Sequence, residues 1–238
     1  MTQATLIAHC GTRKITRDEL RDIPAPPETD THKPISHYRL IKELTLTLSY
    51  RSLVVTRDEY AVSADGMRMF GVLDLSSRVD SFCFSIGVRN GNDKSMRLSM
   101  VAGMRVTVCD NMLFAGDFKP VLRKHTKVMD LTDLIAVGVE KIQRNFDPMV
   151  RQVEEWKART LSDSTAKSVI YDACLTEHLF PRHLLPAVHR HYFTPEIEEF
   201  RPRTMWSLAN AFTSAFKGLK PVSQFQTTAK LGAFLEKL

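Results

Sequence analysis

Several absences narrow the sequence before any pattern is read in it. No apolar run approaches the roughly 18–20 residues that span a bilayer, so no membrane partner is expected. The amino terminus, MTQATLIAHCGTRK, lacks the charged stretch, the long apolar stretch and the cleavage site of a secretory signal, which predicts a cytoplasmic protein. Only four cysteines occur, Cys10, Cys83, Cys109 and Cys174, and no two form a C-x-x-C pair. A zinc ribbon and a dithiol redox centre are thereby excluded, leaving buried reduced thiols. His178, His183, His189 and His191 crowd together without the H-E-x-x-H pattern of a zincin, and no glycine-rich nucleotide fingerprint is present. The expectation is no resident metal, no cofactor and no catalytic set, with a mixed histidine site including Glu177 as the one metal arrangement left open.

What is present is a folded chain with unevenly placed charge. The 238 residues are 43% hydrophobic and 25% charged, ordinary values for a globular protein. The net charge of +6 is not spread evenly: residues 81–128 hold 8 Lys+Arg against 3 Asp+Glu, residues 129–200 hold 8 against 12, and residues 201–238 hold 6 against 1. Two basic blocks flanking an acidic one suit either a polyanionic partner or docking onto the acidic segment of a neighbouring subunit.

The hydrophobic pattern divides the chain into three. Residues 1–33 read as a flexible leader and a Pro-rich arm, IPAPPETDTHKP being nearly devoid of apolar side chains. Residues 34–128 read as a sheet domain with an opening helix, on which Tyr38, Ile41, Leu44 and Leu48 recur at helical spacing. Short strands are predicted at Ser52–Thr56 and Tyr60–Ser63, separated by a charged turn, before the hairpin signal Asp65-Gly66 and the strand MRMFGVLDL. Phe82, Phe84, Ile86 and Val88 alternate along the next strand, which ends in the loop Arg89–Lys94. Met96–Ala102 and Arg105–Cys109 supply two more strands on either side of Gly103. Residues 129–238 read as helical: a long amphipathic helix from Leu131 to Trp156, a helix capped at Ser162 or Asp163, one capped at Thr204 and a last one from Gln224. The fold class is therefore α+β, a twisted antiparallel sheet of about five strands with helices packed on it. A sheet face or edge left uncovered would call for another subunit, so a homo-oligomer is expected.

Candidate sites gather in the basic 81–128 block. The loop Arg89-Asn90-Gly91-Asn92-Asp93-Lys94 is either an anion cradle, with an Arg fork and a Lys point charge, or a hairpin turn in which Asp93 pairs with Arg89 or Lys94 and an Asn takes positive φ. In FKPVLRKHTK, Lys119, Arg123, Lys124 and Lys127 cluster with His125 and no acid, a composition that would track phosphates while Phe114 or Phe118 stacks on a base. Cys109-Asp110-Asn111 would be a nucleophile only with a histidine beside it, and turn chemistry accounts for it more simply. The nucleic-acid-binding set is Arg89, Asn90, Lys94, Arg105, Lys119, Arg123, Lys124, His125 and Lys127. Trp206, Leu208, Ala209, Phe212 and Phe216 lie at helical spacing and read as core.

The run IGVRNGNDKSMRLSMVAGMRVTVCDNMLFAGD, together with PISHYRLI, DGMRMFG, KHT and WSLANAFTSAFK, resembles the phage and plasmid-like family known as domain of unknown function nine hundred and thirty-two. Members more often read R-N-S-H-D where this chain has Arg89-Asn90-Gly91-Asn92-Asp93, so the loop histidine is absent here. The resemblance implies a mobile element in a bacterial or phage-infected cytosol, near recombination and anti-restriction genes, and implies no reaction. Three functions follow as expectations. The first is nucleic-acid binding, single-stranded DNA favoured, in recombination or replication. The second is an interaction protein that inhibits a host defence complex. The third is an enzyme on a phosphate-bearing substrate using Arg89, Lys94, Asp110 and His125.

Overall fold

Alternation of apolar side chains, broken by turn residues, produces the central element of this chain, an open antiparallel sheet. The computed structural model describes residues 13–79, 82–106, 112–114, 121–219 and 221–238. Two units are formed: a sheet unit within 5–105 and 118–146, and a helical unit within 106–117 and 147–238. In the sheet unit, β1 (Arg13–Ile15), β2 (Val55–Val62), β3 (Arg68–Val79), β4 (Phe82–Gly91) and β5 (Leu98–Val106) lie side by side in chain order. A short strand, β7 (Val121–Arg123), pairs with the first residues of β5. The numbering leaves β6 (Met112–Phe114) to the helical unit. The class is α+β, as the pattern predicts, with one more strand than expected in the sheet unit.

The hairpin between β2 and β3 turns at Asp65-Gly66, where Gly66 has φ of 69°, a conformation that costs other residues a Cβ clash. Asp65 Oδ1 accepts from the Met67 N–H at 3.0 Å and closes the turn. The predicted break in β2 is absent: Arg57, Asp58 and Glu59 are paired strand residues. Their charges are met at the sheet surface, Arg57 by Glu59 and Asp58 by Arg17 at 3.0 Å, so polarity there does not interrupt pairing. Gly103 likewise lies inside β5 rather than between two strands. Positions on both faces of β4 and β5 are buried, from Phe82 to Val88 and from Leu98 to Val106.

The opening helix α1 (His37–Tyr50) has Ser36 as its N-cap, the Ser36 side chain accepting from the Arg39 N–H. Leu40, Ile41, Leu44 and Leu48 are fully buried on its inner face, each contributing roughly 2 kcal/mol of transfer free energy. The helix α2 (Leu131–Arg144) starts at Asp130, whose carboxylate accepts from the Asp133 N–H at 3.1 Å. It crosses the sheet closely at Gly138, where a Cβ would meet Val121 Cγ2 at 2.5 Å and Met100 Cε at 3.0 Å. Phe146 stacks on Phe84 with centroids 3.9 Å apart. Within the stretch read as leader and arm, β1 pairs with β2, Leu20 is fully buried and His32 is buried.

The predicted single helix from Leu131 to Trp156 is interrupted at Asn145, after which α3 (Phe146–Ala158) begins. Pro148 explains the break, because it has no N–H to return to the Arg144 carbonyl. In the helical unit, α4 (Asp163–Tyr171) is capped by Ser162 through the Thr165 N–H at 3.1 Å and continues as a π-helical turn over Asp172–Thr176. The helix α5 (Leu185–Phe193) packs on α6 (Met205–Phe216), which is buried on nearly every side and carries Trp206, Phe212 and Phe216 into the core. The final helix is α7 (Pro221–Leu235), in contact with β6. Cys83 and Cys174 are buried thiols, while Cys10 and Cys109 lie outside the described residues. No helix among the described residues is long and apolar enough to cross a membrane.

Candidate functional site

An extended segment, residues 31–36, is fastened to the turn after β4 by buried amides and imidazoles. Asn92 reads the backbone of Ile35 on both sides: its Oδ1 accepts from the Ile35 N–H at 3.0 Å and its Nδ2 donates to the Ile35 carbonyl at 3.0 Å. Asn90, fully buried on β4, donates from Nδ2 to the same carbonyl at 2.8 Å and to His37 Nδ1 at 2.8 Å. The His37 Nε2–H in turn donates to the Gly66 carbonyl at 2.9 Å, an arrangement that requires the neutral ring, and burial lowers the pKa of this imidazole. His32 sets its Nδ1 against the His125 carbonyl at 3.2 Å and its Nε2 against the Asn92 carbonyl at 3.3 Å. The Lys33 N–H completes the fastening by donating to the His125 carbonyl at 3.3 Å.

His125 stacks on His32 with ring centroids 5.4 Å apart and planes 24° from parallel. It is 5% exposed, and both of its ring nitrogens are buried without a hydrogen-bond partner. Burial, and then the unfavourable coupling of a second proton here to the neighbouring imidazoles of His32 and His37, holds its pKa down at about 4.

This fastening creates two cavities lined by the same pair of chain segments. One, of about 490 Å³, is walled by Lys94, Ser95, Arg97, Lys124, His125 and Thr126 with His32 behind them. The other, of about 440 Å³, is walled by Lys33, Arg39, Lys127 and the first residues of α2. Lys94, Arg97, Lys124, Lys33, Arg39 and Lys127 are all exposed. Among the described residues the only carboxylate lining either cavity is Asp130, which is occupied in capping α2. Asp93, in the turn beside the first cavity, accepts from the Ser95 N–H and hydroxyl and lies 3.5 Å from Arg68. It therefore pairs with neither Arg89 nor Lys94, and positive φ falls at Lys94 (64°) rather than at an asparagine.

The residues singled out in the sequence are thus sorted. Lys94, Lys124 and His125 line one cavity, Lys127 lines the other, and Arg123 is exposed at the end of β7. Asn90 is consumed in fastening Ile35, and Arg89 is a paired strand residue opposite Phe70 rather than part of a loop. Arg105 is buried and forms an ion pair with Asp74 at 3.0 Å, Asp74 also accepting from the Ser85 hydroxyl at 2.6 Å; it is a structural cation, out of reach of a phosphate. Lys119, Phe118, the Phe114 side chain and the Cys109-Asp110-Asn111 run lie outside the described residues. The set proposed for an enzyme is dispersed accordingly: Lys94 and His125 share a cavity that Arg89 does not line. Arg97 and His32 were not in the sequence-derived set. Arg97 belongs to the same acid-poor block, a usable signal, whereas His32 is brought in by contacts to residues 60 and 93 positions away, which no local pattern announces.

Fold and site together define an α+β protein with a cation-lined cleft on its sheet unit. The family model described as domain of unknown function (DUF932) matches residues 47–231, and the chain belongs to that family. The match includes Lys94, Arg97 and Lys124 but not the 31–36 segment that completes the cleft. No curated protein and no solved structure matches the chain.

Proposed function

We propose that the protein binds nucleic acid through the phosphate backbone, the strand running over the two cavities of the sheet unit. The observation that carries this reading is their lining: six lysines and arginines whose only carboxylate neighbour in the walls, among the described residues, is already engaged as a helix cap. Cations held around a concave surface, five of them with no ion-pair partner among the described residues and Arg39 lying 4.0 Å from Glu43, favour a polyanion by counterion release and need no base contacts. A groove of this kind suits the single strands handled in recombination or replication of a phage or plasmid, in the cytosol of its host.

Fluorescence anisotropy with labelled oligonucleotides across a salt series tests the reading. Replacing Arg123 and Lys124 together by Gln, both exposed, should leave the melting transition in place. It should weaken binding across all sequences and flatten the plot of log affinity against log salt by about 0.7 for each single-strand contact removed. Absence of oligonucleotide binding by the parent protein at low salt would overturn the reading and favour inhibition of a host defence protein instead.

A further inference from the structure

The larger of the two cavities gathers three cations around one concave surface. Its volume, about 490 Å³, falls in the range of small-molecule sites and far exceeds what a bare phosphate fills. Lys94, Arg97 and Lys124 stand around it with no ion-pair partner among the described residues and no carboxylate in the lining. The Thr126 side chain offers a hydroxyl, and the backbone at Lys94 is held in a left-handed conformation at φ 64°, turning the chain sharply at the rim. Behind these, His125 is 95% buried by its 5% exposure and keeps two ring nitrogens without partners. Both nitrogens are themselves shielded from solvent, so the imidazole backs the cavity and the cations at its rim are the groups that meet a ligand. His32 forms the back of the same wall, its two ring nitrogens set against the carbonyl oxygens of His125 and Asn92.

From these features we infer that the cavity of Lys94, Arg97, Lys124 and His125 seats a phosphomonoester of mononucleotide size, the phosphorylated terminal nucleotide of a strand being the ligand that also satisfies the proposed function. The inference rests on that reading and adds to it an end preference. An internal phosphodiester carries one negative charge, whereas a phosphomonoester carries about 1.5 to 2 at neutral pH with three acceptor oxygens. Three cations with nothing acidic between them discriminate in favour of the second, Arg97 by a bidentate fork and the lysines as point charges.

Binding of two single strands about twelve nucleotides long, labelled at the 3′ end and differing only in a 5′-phosphate or 5′-hydroxyl, decides the matter, with adenosine monophosphate and inorganic phosphate as competitors. The phosphorylated strand should bind at least tenfold more tightly, and the monophosphate should compete better than inorganic phosphate. A Lys94→Gln, Arg97→Gln double variant should bind the two strands equally, and both more weakly than the parent binds the hydroxyl strand because two groove cations are gone; Lys124→Gln alone should reduce the preference. If the monophosphate alone binds as tightly as the phosphorylated strand, the seat serves free nucleotides. Equal affinity for the two strands overturns the inference while leaving backbone binding intact, and so does a preference that survives the double variant. Failure of both strands to bind defeats the proposed function instead, and in that case competition-free binding of the monophosphate still supports the seat.

Discussion

Buried polar groups in the sheet unit and in the helical unit do different work. In the helical unit they bond within their own turn: Asn210 Nδ2 donates to the Trp206 carbonyl at 3.0 Å and the Thr213 hydroxyl to the Ala209 carbonyl at 3.2 Å, each four residues back. In the sheet unit they join segments distant in sequence, Asn92 to Ile35 over 57 residues and Arg105 to Asp74 over 31. The first kind satisfies a local backbone group that the helix would satisfy anyway. The second kind decides where a segment lies, and it is this kind that builds the cavity walls. Polar substitutions should therefore be costly in the sheet unit and mild in the helical one.

The largest effect is expected at Asp74. Its carboxylate is 3% exposed and holds Arg105, itself buried, so Asp74→Ala leaves a guanidinium in the interior without its counter-charge. A loss of about 3–5 kcal/mol is expected, read from urea unfolding with an unchanged slope. A loss under about 1 kcal/mol would show that Arg105 finds water or another acceptor, and the contrast between the units would weaken. Asn92→Ala comes next, at about 2–3 kcal/mol, since two hydrogen bonds to Ile35 vanish and the Ile35 N–H is left unpaired, its carbonyl keeping only the Asn90 amide. Faster proteolysis in the 24–31 stretch should accompany it if the fastening of this segment is what was lost.

Acidification strains the same unit through a different group. In the unfolded chain the imidazoles titrate near 6.5. In the fold, burial holds His125 down at about 4, and His37 is lowered for the same reason. Between these limits the unfolded chain takes up protons that the folded chain refuses. Stability should thus be full above about pH 6.5 and fall as pH drops towards 4, levelling below that for the His125 contribution. Equilibrium unfolding of the parent and of His125→Phe across this range measures it. A parallel decline in both proteins would show that His125 contributes none of the pH dependence.

How much of this was legible beforehand depends on the reach of the interaction. Ser36 and the apolar positions Leu40, Ile41, Leu44 and Leu48 specify α1 within one window, Asp65-Gly66 specifies its hairpin, and Thr204 specifies the start of α6. Each signal lies within a few residues of its effect. Arg89–Lys94 has the composition of a loop, yet Asn90 and Gly91 are strand residues, because the amide of Asn90 is answered by Ile35 and His37 far away in sequence. Nor does any local pattern announce that residues 13–35 supply a strand, Leu20 and His32 to the sheet unit. Lys94 and Lys124 stand out by charge alone, and only the folded chain places Arg97 and the two stacked histidines with them.

The smallest effect expected is at a helix end, where the helical unit's local economy can be tested directly. Thr204 Oγ1 accepts from the Ser207 N–H at 3.2 Å, serving one of the first amides of α6 that has no partner within the helix. Thr204→Ala removes this acceptor and should cost about 1 kcal/mol in urea unfolding, with Thr204→Ser restoring most of it because the hydroxyl returns without the methyl. The Thr204 backbone also pairs with Thr160, and that bridge does not involve the side chain, so it should persist in both variants. A loss above about 3 kcal/mol, or no recovery with serine, would mean that the Thr204 side chain fastens separate segments as the amides of the sheet unit do, and the distinction between the two units would fail at the position chosen to show it most plainly.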